Sequence, residues 1–106
     1  MRIFEESVYE MQVGKGALLV EAYAKEGVAL LERHLGELVA FFSVDLGGDI
    51  DQLIQIWAFE SDDDRRARRE AVWRDPEWVA FANTYGHLIT KRSMRILLPA
   101  EFSPLR

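Results

Sequence analysis

The chain has 106 residues, 49% of them hydrophobic and 29% charged, with Lys+Arg 13 against Asp+Glu 18 and no cysteine. That length supports one domain over residues 1–106, and the ordinary apolar fraction excludes general disorder. The missing cysteines exclude a disulfide framework, thiolate metal sites and cysteine nucleophiles, while a net charge of −5 argues against a nucleic-acid binder.

The start, MRIFEESVYEMQV, is acidic from Glu5 and lacks the apolar segment of a secretory signal. No apolar run approaches the roughly 18–20 residues that span a bilayer. A soluble, cytoplasmic protein without membrane insertion is expected.

Residues 3–13 carry β-formers at Ile3, Phe4, Val8, Tyr9 and Val13 and stop at Gly14-Lys15-Gly16. They predict a first strand, partly polar and hence near a sheet edge. Over residues 16–35 the spacing becomes helical, through Leu19, Ala22, Tyr23, Glu26, Leu30 and His34. Gly27 weakens that helix and Gly36 ends it. Residues 37–46 and 52–60 then predict two strands of a hairpin. In the first, Leu38, Ala40, Phe42 and Val44 oppose Val39 and Phe41; in the second, Leu53, Trp57 and Phe59 oppose Ile54, Ile56 and Ala58. Both faces of both strands are apolar.

Ser61 is an N-cap with Asp64 three residues on, and the arginines at 65, 66, 68 and 69 read as a solvated helix face with internal ion pairs. Asp75-Pro76 restarts the helix, with Asp75 as N-cap and Pro76 at the first helical position. Trp78, Phe81, Ala82, Tyr85 and Leu88 continue at helical spacing, and residues 89–98 form a last strand ended by Pro99. The order β-α-β-β-α-β is the ferredoxin-like α+β arrangement with a four-stranded antiparallel sheet. Its helices cover one face only. The apolar opposite face predicts a homodimer that buries sheet against sheet about a twofold axis.

Three runs, Arg33-His34-Leu35-Gly36-Glu37-Leu38-Val39, Trp57-Ala58-Phe59-Glu60-Ser61 and Asp75-Pro76-Glu77-Trp78, resemble the NIPSNAP family. The ending Arg95-Ile96-Leu97-Leu98-Pro99, with Phe102-Ser103-Pro104-Leu105, is similar too. The resemblance implies a dimeric α+β barrel, an architecture shared with small antibiotic-biosynthesis-type monooxygenases, and implies little about activity. The sequence departs from the family pattern LNxxxHxWxY, with Asp51, Gln55 and Phe59 at the Asn, His and Tyr positions. Ser7 stands where an arginine is common, and Val13 where a proline is usual.

Gln55 shares a strand face with Trp57 in an apolar run, so it is either a satisfied structural amide or a ligand contact. A pocket is expected between that strand and the helices, with Tyr9, Tyr23, His34, Gln55, Trp57, Trp78, Asn83 and His87 as its candidate residues. The two histidines read first as partners of helix C-terminal carbonyls, and nothing in their spacing supports a metal. Asp49 and Asp51 read as solvated loop acids. No motif calls for a cofactor. Two functions stay open: a binding or interaction module for a small hydrophobic or aromatic ligand, and a cofactor-independent monooxygenase-like enzyme acting on an aromatic substrate.

Overall fold

The structure is a computed structural model that describes residues 2–106. Its elements run β1 (Ile3–Met11), α1 (Gly16–Ala22), a π-turn (Tyr23–Gly27), α2 (Val28–Leu35), β2 (Glu37–Ser43), β3 (Gln52–Phe59), α3 (Asp62–Arg74), α4 (Pro76–Tyr85), a 3-10 turn (Gly86–Leu88) and β4 (Ile89–Leu97). The strands form one antiparallel sheet in the order β2-β3-β1-β4, the ferredoxin-like topology expected.

β1 departs from expectation, since it is a central strand and β2 and β4 are the edges. Its acidic residues misled because each has a partner, while the buried Ser7 hydroxyl has none among the described residues. Glu5 is buried and paired with arginines, Glu6 pairs with Arg95, and Glu10 accepts from Gln52. A charged residue argues for an edge only where its neighbours leave it unpaired.

Cross-strand register sorts the two faces. Rows Ser43–Leu53–Tyr9–Arg92, Phe41–Gln55–Ser7–Met94 and Leu38–Trp57–Glu5–Ile96 lie on the helix side. Rows Phe42–Ile54–Val8–Ser93 and Ala40–Ile56–Glu6–Arg95 lie on the other. A bulge between Leu38 and Ala40 puts Leu38 and Phe41 on the same face, so simple alternation along β2 fails there. Phe41 is thereby covered by Tyr23, ring centroids 5.4 Å apart, and Phe42 is left half-exposed on the open face.

The helix spanning 16–35 is continuous but contains a π-turn at Tyr23–Gly27. Such a one-residue insertion rotates the following turns relative to the preceding ones. Gly27 lies where a Cβ would stand 2.6 Å from Phe81 Cζ, so the absent side chain lets α4 approach. Asp51, read as a solvated loop acid, instead secures the start of α1: its carboxylate accepts from the Gly14 N–H at 3.2 Å and the Gly16 N–H at 3.4 Å. Ser61 and Asp75 cap α3 and α4 as expected, accepting from the Asp64 and Glu77 amides at 3.1 and 2.9 Å. Leu19, Leu30, Leu31, Leu35, Leu53, Trp57, Phe59 and Val72 fill the core between sheet and helices. Among the described residues no helix is long and apolar enough to cross a membrane.

Candidate functional site

The helices sit over β2, β3 and β1 and leave the inner face of β4 uncovered. Met94 and Ile96, which belong to helix-side rows, are 50% and 39% exposed. Between this bare strand and the α3–α4 corner runs a cleft of about 500 Å³. Four of the eight residues singled out from sequence line it: Tyr9, Tyr23, Trp78 and Asn83.

Its wall is a chain of aromatic contacts. Trp73 meets Trp78 edge-on at 6.0 Å, Trp78 stacks on Phe81 at 5.3 Å, and Phe81 touches Tyr85 at 4.9 Å and Tyr23 at 5.2 Å. Such ring pairs fix one another's orientation by edge-to-face and offset geometry. The Trp78 Nε1 is buried without a hydrogen-bond partner among the described residues. Burial pushes both the Tyr9 and Tyr23 phenols up, an effect that Arg69 and Arg92 oppose at Tyr9. Both are therefore neutral, hydrogen-bonding hydroxyls at ordinary pH.

Gln55 and Trp57 stand elsewhere than expected. They are 2% and 0% exposed, and neither lines the cleft. The Trp57 Nε1 donates to Gln55 Oε1 at 3.0 Å inside the core, while the Gln55 Nε2 is buried with no partner among the described residues. The cleft consequently lies against β1 and β4, not against β3.

His34 joins two helices: its Nε2 is 2.9 Å from Asp75 Oδ2, at the α3–α4 junction. The α2 carbonyl expected to meet its ring is met by another residue, since Arg68 donates to the His34 carbonyl at 3.0 Å. His87 is exposed in the 3-10 turn and outside the cleft lining; its carbonyl accepts from Gln12 Nε2 at 3.0 Å. Among the described residues no three His, Asp or Glu side chains gather as a metal site.

The arginine run splits by helix face. Arg66 and Arg68 form the expected pairs with Asp62 and Asp64, each at 2.8 Å. Arg65 and Arg69 point inward instead and engage Glu5, which is 0% exposed. That corrects the reading of all four as a solvated face. The signal was present at i, i+4 on α3 and in the alternation of β1, but pairing them requires knowing that α3 crosses β1. Sequence reasoning also left out Trp73, Arg69 and Arg92 as cleft residues.

A ferredoxin-like α+β domain with one helix layer and a cleft along its uncovered edge strand is the class these features define. Comparison with known proteins narrows it: the NIPSNAP family model matches residues 4–104, and the chain belongs to the NIPSNAP family. It is 30% identical to human NipSnap homolog 3B over 105 residues, covering 98% of this chain and 42% of the human protein. The chain thus spans less than half the length of that relative. A crystal structure of a NIPSNAP family protein of unknown function from Agrobacterium tumefaciens superimposes with a TM-score of 0.95 at 35% identity, covering 99% of this chain and 94% of that one. A Nitrosomonas europaea protein assigned provisionally to the antibiotic biosynthesis monooxygenases shares the fold, with a TM-score of 0.66 at 14% identity over 96% of this chain and 93% of that one.

Proposed function

We propose that this NIPSNAP domain is a homodimeric binding module that holds a small hydrophobic, aromatic ligand in the cleft between β4 and the α3–α4 corner. The observation that carries the reading is the cleft itself, about 500 Å³ and walled by Trp73, Trp78, Phe81 and Tyr85. That volume lies within the roughly 300–1,000 Å³ of ordinary small-molecule sites, and aromatic walls with few polar groups are their usual lining. Dimerisation draws on the opposite face of the sheet. There Phe42, Ile54, Val8, Ile56 and Ala40 form adjoining rows with no helix over them, and Phe42 is 54% exposed. A second copy related by a twofold axis presents the same rows in return.

Calorimetric titration with 2-naphthamide and 2-naphthoate tests the ligand reading. Saturable binding of at least one, at one molecule per chain and abolished by Ala82→Trp, is the expected result. Heat of dilution alone for both at millimolar concentration overturns it. Size-exclusion chromatography with light scattering tests the assembly: a mass near 24 kDa is expected, twice the 12.2 kDa chain, and a stable monomer at micromolar concentration overturns it.

A further inference from the structure

Acidic residues outnumber basic ones in this chain, yet the cleft is lined by Arg69, Lys91 and Arg92 and by no Asp or Glu. Nine of the thirteen basic side chains stand within 4.0 Å of a carboxylate, Arg69 among them through Glu5. Arg92 has no such partner among the described residues. Its register places it on the helix side of β4, directly across from Tyr9, and its charge acts on the Tyr9 phenol. An uncompensated guanidinium therefore stands at one side of an aromatic cleft. The opposite wall is the stacked pair Trp78 and Phe81, ring centroids 5.3 Å apart.

We infer that the ligand of this cleft is an aromatic carboxylate, its ring against Trp78 and Phe81 and its carboxylate on the Arg92 guanidinium. The assignment rests on the cleft being a ligand site and adds the ligand's charge to it. A guanidinium presents a planar fork of N–H donors that matches a carboxylate, and such charge-assisted bonds are roughly twice as strong as neutral ones. Arg69 is less suited to the same part, because its Nε and one of its two terminal nitrogens already donate to Glu5. It instead supplies a second positive centre, whose charge is offset in part by a Glu5 carboxylate shared with Arg65. Lys91, set across from Glu10 on β1, likewise lacks a carboxylate within 4.0 Å among the described residues, and this unopposed positive charge selects an anion over a neutral or cationic ring of the same shape.

Three isosteres read this out by calorimetry at low salt: 2-naphthoate, 2-naphthamide and 2-naphthylmethylamine. We expect 2-naphthoate to bind at least tenfold more tightly than 2-naphthamide and the amine to bind most weakly. In Arg92→Gln the acid-to-amide ratio should fall below threefold, the acid losing far more affinity than the amide. Arg92 is exposed on an edge strand, so that variant keeps the fold; its circular dichroism and melting profile verify this. Equal binding of acid and amide by the unaltered protein overturns this inference and leaves the ligand site standing. A tenfold preference that survives Arg92→Gln overturns the assignment to Arg92. Failure of all three probes to bind removes the site and the inference together.

Discussion

Glu5 lies in the middle of the sheet with its carboxylate gripped by Arg69, whose Nε donates to Oε2 at 3.3 Å while a terminal nitrogen donates to Oε1. Arg65 adds a third donor at 3.1 Å. The pair ties β1 to α3 across the core, beside Trp57, and sets the wall from which Trp73 and Trp78 continue.

Loss of one partner from this pair should be costly, and loss of both much less so. Removing one member of a buried ion pair leaves a desolvated charge and costs about 3–5 kcal/mol. Arg65 remains in Arg69→Met and softens the loss, so about 2–3 kcal/mol is expected there from the same principle. The double variant Glu5→Leu with Arg69→Met should regain most of that stability. Urea unfolding of the two single variants and the double variant measures the coupling, and additive losses would count against it.

This pair also shows where the sequence ceases to be legible. Element order and caps follow from local chemistry: Ser61 with Asp64, Asp75 with Pro76, and the β-rich runs 52–60 and 89–98 each declare themselves. So does the unbalanced apolar content of the sheet. What resisted reading depends on contacts between distant segments. The pairing of Glu5 with Arg65 and Arg69 spans 60 and 64 residues, and the bulge in β2 follows from its register against β3. The cleft is harder still, because it arises from a strand that the helices fail to cover. Residue type alone does not locate it: Tyr9, Tyr23, Trp78 and Asn83 line the cleft, whereas Gln55 and Trp57 have the same credentials and lie in the packed core.

Gly27→Ala should destabilise the protein even though alanine is the better helix former. Propensity alone would favour alanine by about 1 kcal/mol. Against that, the new Cβ would stand 2.6 Å from Phe81 Cζ and 2.7 Å from Tyr23 Cδ1. Neither ring can retreat easily, because Phe81 is held between Trp78 and Tyr85 and is only 4% exposed. Overpacking of this kind costs about 1–3 kcal/mol, so a net loss is expected in thermal unfolding. An unchanged or higher melting temperature would show that α4 moves away freely.

His34→Ala should alter the acid titration of Asp75. The His34 ring bonded to Asp75 Oδ2 is the main cause that holds this carboxyl below its ordinary 3.8, and the Glu77 amide and Arg33 add to it. A carboxyl lowered in the folded state contributes stability above its unfolded pKa and loses that contribution as pH falls through the folded value. Carbon-detected NMR should place the Asp75 midpoint closer to 3.8 in the variant than in the parent protein. The acid side of the stability profile should flatten by the same share. An unmoved midpoint would show that Glu77 and Arg33 suffice.

At alkaline pH the two buried phenols should govern unfolding. Burial raises Tyr9 and Tyr23 above their ordinary 10.0, so the folded chain keeps both protonated where the unfolded chain would release both protons. Stability from a raised group is complete below the unfolded pKa and declines as pH climbs from there toward the folded value. The protein should therefore hold constant stability toward pH 10 from these groups and lose it progressively above. Absorbance at 295 nm, which reports phenolate, should rise for these two tyrosines only together with the loss of near-ultraviolet circular dichroism. Replacing Tyr9 with Phe should remove one phenolate from the cooperative step and delay the alkaline transition. A smooth, full titration of all three tyrosines in the folded chain would show that water reaches the floor of the cleft, and that Tyr9 and Tyr23 are not the sealed, neutral hydroxyls their burial implies.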